Sequence, residues 1–197
     1  MSFVVFDTEY IADKGLKEEG FCGWQNREII QIAALKIDNN LEVLDRMNLY
    51  ILPKLHNEIP KYFVELTGIS NECIRDNGIV FEEAYAKFKK FVGNDDCYSH
   101  SWDDGEEADG IVMKEMLSIH KIEEENHLKY CNIAGWFKRK YVENNINVNK
   151  QSSGEIATIL GHKEELEDLG LKGHNAFYDV YSILIGLRVL GFNKQNN

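Results

Sequence analysis

The sequence predicts a mixed α/β layered domain. Short β-rich apolar runs crowd the first half, helical periodicities fill the second, and no Pro- or Gly-rich linker divides the 197 residues. That length suffices for one domain with a substantial core. With 44% apolar and 28% charged residues the balance is that of a globular chain, which argues against disorder. Residues 1–192 are therefore read as a single domain and 193–197 as a short polar tail.

Residues 3–7, Phe-Val-Val-Phe-Asp, are apolar and too few for a helix, so they predict a buried strand ending in a carboxylate. Residues 28–37 give a second strand and 42–52 a third. Asp38-Asn39-Asn40 between them favours a tight turn, making the pair an antiparallel hairpin. Pro60 opens a short helix that ends near Leu66-Thr67-Gly68-Ile69. Phe81, Tyr85, Phe88 and Val92 recur at helical spacing, with Gly93 as a C-cap. Asp96 to Trp102 is a further strand candidate, followed by an acidic loop over 103–108 and a helix over 109–120. Further helices are predicted over 133–143, 153–160 and 176–190.

No apolar stretch approaches the roughly 20 residues of a membrane helix. The N-terminus, Met-Ser-Phe-Val-Val-Phe-Asp, lacks a basic start and long apolar run, so a cytoplasmic protein is expected. Four scattered cysteines, without a C-x-x-C pair, predict reduced thiols rather than a zinc site or disulfide framework. The formal net charge of −11 weighs against broad binding of duplex DNA, which works by neutralising phosphates with Lys and Arg. It leaves room for a local cleft in which carboxylates hold cations against a substrate phosphate.

Two motifs carry chemistry. Asp7 and Glu9 stand at i and i+2 of a strand, so both carboxylates project from one face. Like charges held together call for a cation between them, and hard divalent cations prefer carboxylate oxygens. Alone, D-x-E is common and more often marks two solvated acids at a strand end. The second motif is His174-Asn175-Ala176-Phe177-Tyr178-Asp179: a His before a predicted helix and an Asp one turn inside it. A histidine titrates near neutrality and can act as a base. The same residues also suit a helix N-terminus with a capping His-Asn pair.

Together, D-x-E on the first strand and H-x-A-x-x-D at the last helix resemble the DEDDh family of 3′→5′ exonucleases, over nearly the whole chain. Leu66-Thr67-Gly68-Ile69 resembles the segment that lines the family's substrate cleft, though a helix C-cap explains Gly68 equally well. The family's middle acid is where this sequence departs. Asp109-Gly110-Ile111-Val112 looks most like the family's helix start, whereas Asp103 and Asp104 lie in what looks like a small insertion. All three remain open.

The resemblance implies a ribonuclease-H-like fold, a five-stranded mixed sheet flanked by helices. It implies release of nucleoside 5′-monophosphates from single-stranded nucleic-acid 3′ ends, RNA slightly ahead of DNA, with two divalent cations, Mg²⁺ or Mn²⁺. One ion would sit on Asp7, Glu9 and Asp179, the other on Asp7 and Asp109, with His174 as general base. Thr8, Tyr10, Leu66, Thr67, Trp102 and Asn175 flank the motifs and are the candidate substrate contacts. A degenerate relative that binds nucleic acid or a protein partner without cleaving is the alternative, disfavoured because all five chemical residue types are present.

Overall fold

The computed structural model describes residues 2–17, 20–102, 109–124, 128–168, 170 and 175–194; over 15–17 and 20–24 only the backbone is described. The chain begins with β1 (Ser2–Lys17), β2 (Gly20–Asp38) and β3 (Val43–Ile51). Two short helices follow, α1 (Lys61–Thr67) and α2 (Asn71–Asn77), then β4 (Gly78–Ile79), α3 (Phe81–Val92), β5 (Asp96–Ser99) and α4 (Asp109–His120). The remainder is β6 (Tyr130–Asn132), α5 (Ala134–Glu143), a 3-10 turn (Ser153–Glu155) continuing into α6 (Ile156–Ile159), α7 (Lys163–Glu167) and α8 (Ala176–Val189).

Among the described residues six strands form one mixed sheet in the order β4-β3-β2-β1-β5-β6. β2 runs antiparallel to both β1 and β3, while β5 and β6 run parallel to β1. The sheet thus has one strand more than the five expected. β4 is two residues and β6 three, too short for an alternating pattern to announce either. β1 and β2 also extend well beyond residues 3–7 and 28–37, because each supplies the other's hydrogen bonds out to Lys17↔Gly20. The turn expected at 38–40 is present, with Asp38 Oδ1 accepting from the N–H groups of Asn40 at 2.8 Å and Glu42 at 2.9 Å.

Alternation along β1 divides the core. Val4 and Phe6 face α3 and α4, packing with Phe88, Met113 and Met116. Phe3 and Val5 face α5 and α8, packing with Phe137, Val180 and Ile183. Burying each such side chain stabilises the fold by about 1.5–3 kcal/mol. No helix among the described residues is long and apolar enough to cross a membrane.

β5 ends at Ser99, short of the strand predicted to Trp102. At Ser101 a side chain takes over from the ladder: Asn132 Oδ1 accepts from Ser101 N–H at 3.1 Å and its Nδ2 donates to Ser101 O at 2.7 Å. The chain leaves the sheet there. β1 pairs with β5 only through Phe3, Val4 and Val5, so Asp7 and Glu9 lie past that pairing, at the carboxyl end of β5. In open α/β sheets this is where ligands bind.

Candidate active site

Asp7 and Glu9 continue the odd-numbered face of β1 and point toward α8. Asp179 comes to meet them from the first turn of α8. That helix start is fixed from the sheet: Gln31 of β2, fully buried, accepts from Ala176 N–H at 3.0 Å and donates to Asn175 Oδ1 at 3.2 Å. Asn175 caps the helix by accepting from Phe177 N–H at 3.1 Å. The result is a cluster of Asp7, Glu9 and Asp179 in which one oxygen from each lies within 4.8 Å of the others.

Asp109 arrives by a different route, at the first residue of α4. Its side chain accepts from Thr8 Oγ1 at 2.6 Å and its N–H donates to Ser99 Oγ at 3.2 Å. α4 can approach this closely because residue 110 is glycine: a Cβ there would stand 2.5 Å from Tyr130 Cβ. All four acids line one cleft of about 860 Å³, together with Tyr10 and Trp102.

The electrostatics are those of four clustered carboxylates that repel one another. Asp7 is held well above the usual carboxylate range, first by burial and then by repulsion from Asp109, Asp179 and Glu9. Glu9 is pushed up to about 8 by burial and by Asp179 and Asp109. Asp179 rises to about 7, chiefly by burial, with a hydrogen bond from Ser153 acting in the opposite sense. Burial lifts Asp109 to about 6 against hydrogen bonds from Thr8 and Ser99. Asp179 Oδ1 is buried with no hydrogen-bond partner among the described residues. Three hard oxygen donors, mutual repulsion and an orphaned carboxylate oxygen fit a divalent cation.

The remaining expected contacts divide. Tyr10 and Leu66 line a second pocket of about 180 Å³ with Tyr62 and Phe63, opening beside Glu9. Trp102 walls the main cleft and carries Lys138 Nζ 4.5 Å from its ring centroid. Thr67, by contrast, is buried and used internally: its hydroxyl donates to Phe63 O at 2.8 Å and accepts from Ile69 N–H at 3.2 Å. Asn175 is engaged at the helix cap. His174, Asp103 and Asp104 lie outside the described residues. Sequence reasoning missed Gln31, His100, Gln151 and Ser153, which line or brace the site. No local pattern marks them, since each acts across the fold.

The exonuclease model RNase_T matches residues 4–185. The chain belongs to this exonuclease family. The exonuclease also resembles the nuclease domain of 3′hExo, a DEDDh family member solved bound to rAMP, with a TM-score of 0.67 and 18% identity over 96% of this chain and 92% of that one. Cell-death related nuclease 4 (CRN-4) gives 0.67 at 19% identity, over 95% of this chain and 62% of its own. E. coli ExoI, in a zinc-bound complex with single-stranded DNA, gives 0.68 at 14% identity; the match covers 99% of this chain and 41% of ExoI. These likenesses establish the ribonuclease-H-like fold. No curated protein sequence matches the exonuclease.

Proposed function

We propose that this exonuclease removes nucleoside 5′-monophosphates one at a time from the 3′ ends of single-stranded nucleic acid, in a reaction that requires Mg²⁺ or Mn²⁺. The observation that carries this reading is the convergence of Asp7, Glu9 and Asp179 within 4.8 Å, with Asp109 joined to the same strand through Thr8. Asp7, Glu9 and Asp179 would hold one cation and Asp7 with Asp109 a second. Bound there, such cations stabilise developing charge on phosphoryl oxygens and lower the pKa of water.

The chain's own residues supply the rest. His174, one residue before the capped start of α8, takes the proton of the attacking water. The pocket formed by Tyr10, Tyr62, Phe63 and Leu66 offers rings and an aliphatic edge on which a terminal base stacks. Arg27 also lines the cleft, held by Glu115 through Nε at 2.7 Å, and brings a cation to the path of the strand's phosphates. The 3′hExo and ExoI structures, solved with rAMP and single-stranded DNA, support a single-stranded end as substrate. RNA is expected to be cut faster than DNA of the same sequence, on the likeness of the Leu66–Ile69 segment.

The test is an assay on 3′- and 5′-labelled oligonucleotides. With Mg²⁺, the 3′ label is expected to leave at once as a 5′-mononucleotide while the 5′ label shortens stepwise. Full activity in excess EDTA, or binding without cleavage at any metal concentration, would refute the proposal.

The middle acid has its own test. Asp109 is fixed by Thr8, Ser99 and the close seat of Gly110, as a metal ligand must be. Asp109→Asn is expected to cripple Mg²⁺-dependent turnover, while Asp103→Asn and Asp104→Asn cost little. Measuring kcat for all three at saturating Mg²⁺ decides the matter: a dead Asp103→Asn or Asp104→Asn beside an active Asp109→Asn would displace the assignment.

A further inference from the structure

We propose that Ser153 and Gly154 are positioning residues for Asp179, and that the segment they occupy sets the affinity of the carboxylate cluster for divalent cations. The inference rests on the reading above, that the cluster holds such cations.

Each of the two residues governs one oxygen of Asp179. The buried Ser153 hydroxyl donates to Oδ2 at 2.9 Å and reaches Asp7 as well. Gly154 governs the other side by what it lacks. A Cβ built at Gly154 would stand 2.5 Å from Asp179 Oδ1 and 3.2 Å from its Cγ. Asp179 can occupy its place only because residue 154 has no side chain. Oδ1, without a hydrogen-bond partner among the described residues, is the oxygen Asp179 can offer the cluster as a ligand atom.

The segment is anchored by contacts outside the cluster, so it acts as a template for Asp179 instead of following it. The Gln151 side chain, 2% exposed, meets the His100 ring at 3.2 Å, just past the end of β5. Ser152 N–H donates to Glu155 Oε2 at 2.7 Å in a capping box. Ala157 N–H donates to Ser182 Oγ on α8 at 3.0 Å, tying the next turn to the helix that carries Asp179. Hydrogen bonds to ligating carboxylates orient them, and losing one such partner costs roughly 10–100-fold in metal affinity.

Gly154→Ala separates positioning from folding. The atom it meets is the far end of a side chain that can rotate away, so the fold survives while Asp179 leaves the cluster. The experiment is calorimetric titration of Mn²⁺ into wild-type protein, Ser153→Ala and Gly154→Ala, with a thermal melt in EDTA for each. Ser153→Ala is expected to weaken Mn²⁺ binding roughly 10–100-fold, and Gly154→Ala at least as much. The Mn²⁺ concentration for half-maximal cleavage should rise by the same factor, and saturating Mn²⁺ should restore most of the kcat of Ser153→Ala. Both variants should melt near the wild-type temperature. A variant that melts early but binds Mn²⁺ as wild type does would mark a merely structural role and overturn the inference. So would two well-folded variants with unchanged isotherms. If wild-type protein takes up no Mn²⁺, the underlying reading of the cluster fails instead.

Discussion

Asp7→Asn is expected to abolish turnover and, in the absence of metal, to make the protein more stable at neutral pH. Both effects follow from its place at the middle of the carboxylate set. In the proposed arrangement Asp7 serves both cations, whose stabilisation of phosphoryl charge is worth several kcal/mol. At about 1.36 kcal/mol per tenfold, the loss in kcat is on the order of 10³-fold or more. The stability effect has the opposite sign. Asp7, Glu9, Asp109 and Asp179 all have folded pKa values above those of an unfolded chain. Between pH ~4 and ~8 the unfolded state therefore gives up protons that the folded state retains, and stability falls as pH rises. Below pH ~4 both states are protonated and this contribution vanishes. Replacing Asp7 removes one acid and the repulsion it exerts on the others. The gain is greatest near pH 8, where the folded state would otherwise hold the most mutually repelling charge. For a chain of this size each kcal/mol gained raises Tm by roughly 2–4 °C. Melting curves in EDTA from pH 5 to pH 9 check it. The wild-type Tm should drop across that range, and the Asp7→Asn curve should be flatter and higher at its alkaline end. An Asp7→Asn protein that melts earlier at every pH would show Asp7 to be a structural acid.

His174→Ala is expected to slow the chemical step by roughly 10²–10⁴-fold, the usual effect of losing a general base. Metal uptake should be retained, because His174 is assigned to the proton and not to a cation. The residues that follow it are firmly held: Asn175 caps α8, and Gln31 grips Ala176 N–H from the sheet. Single-turnover rates and Mn²⁺ calorimetry on the same preparation separate the two roles. Loss of metal affinity in step with activity would make His174 a ligand and remove it as the base.

Much of this site can be read from local sequence because its acids sit on regular elements. Asp7 and Glu9 share a strand face by the period of two, and Asp179 lies one turn into a helix whose cap, Asn175, is itself legible. Asp109 competes in the sequence with Asp103 and Asp104, and only the fold shows Thr8 reaching Asp109 and Gly110 letting its helix close on Tyr130. The rest of the site is assembled by tertiary contact. Gln31 is an unremarkable polar residue in an apolar strand until it meets the start of α8, 145 residues later. Ser153 reads as the start of a short helix, and nothing near it in sequence announces Asp179. His100 and Gln151 pair across 51 residues. The fold follows the same division. The hairpin of β2 and β3 and the long helices have periodicity enough to be recognised. β4 and β6 do not, and the outer parts of β1 and β2 are strands because they pair with each other, not because Asp13-Lys14-Gly15 favours extension.

The central claim is that the carboxylate cleft strips nucleotides from a free 3′ end. The most direct measurement offers wild-type protein a linear single strand and a circular strand of the same sequence, each with Mg²⁺, and follows the release of mononucleotides. The linear strand should be degraded to 5′-mononucleotides from its 3′ end while the circle stays intact. Cutting of the circle, or release that begins at the 5′ end of the linear strand, would contradict the account.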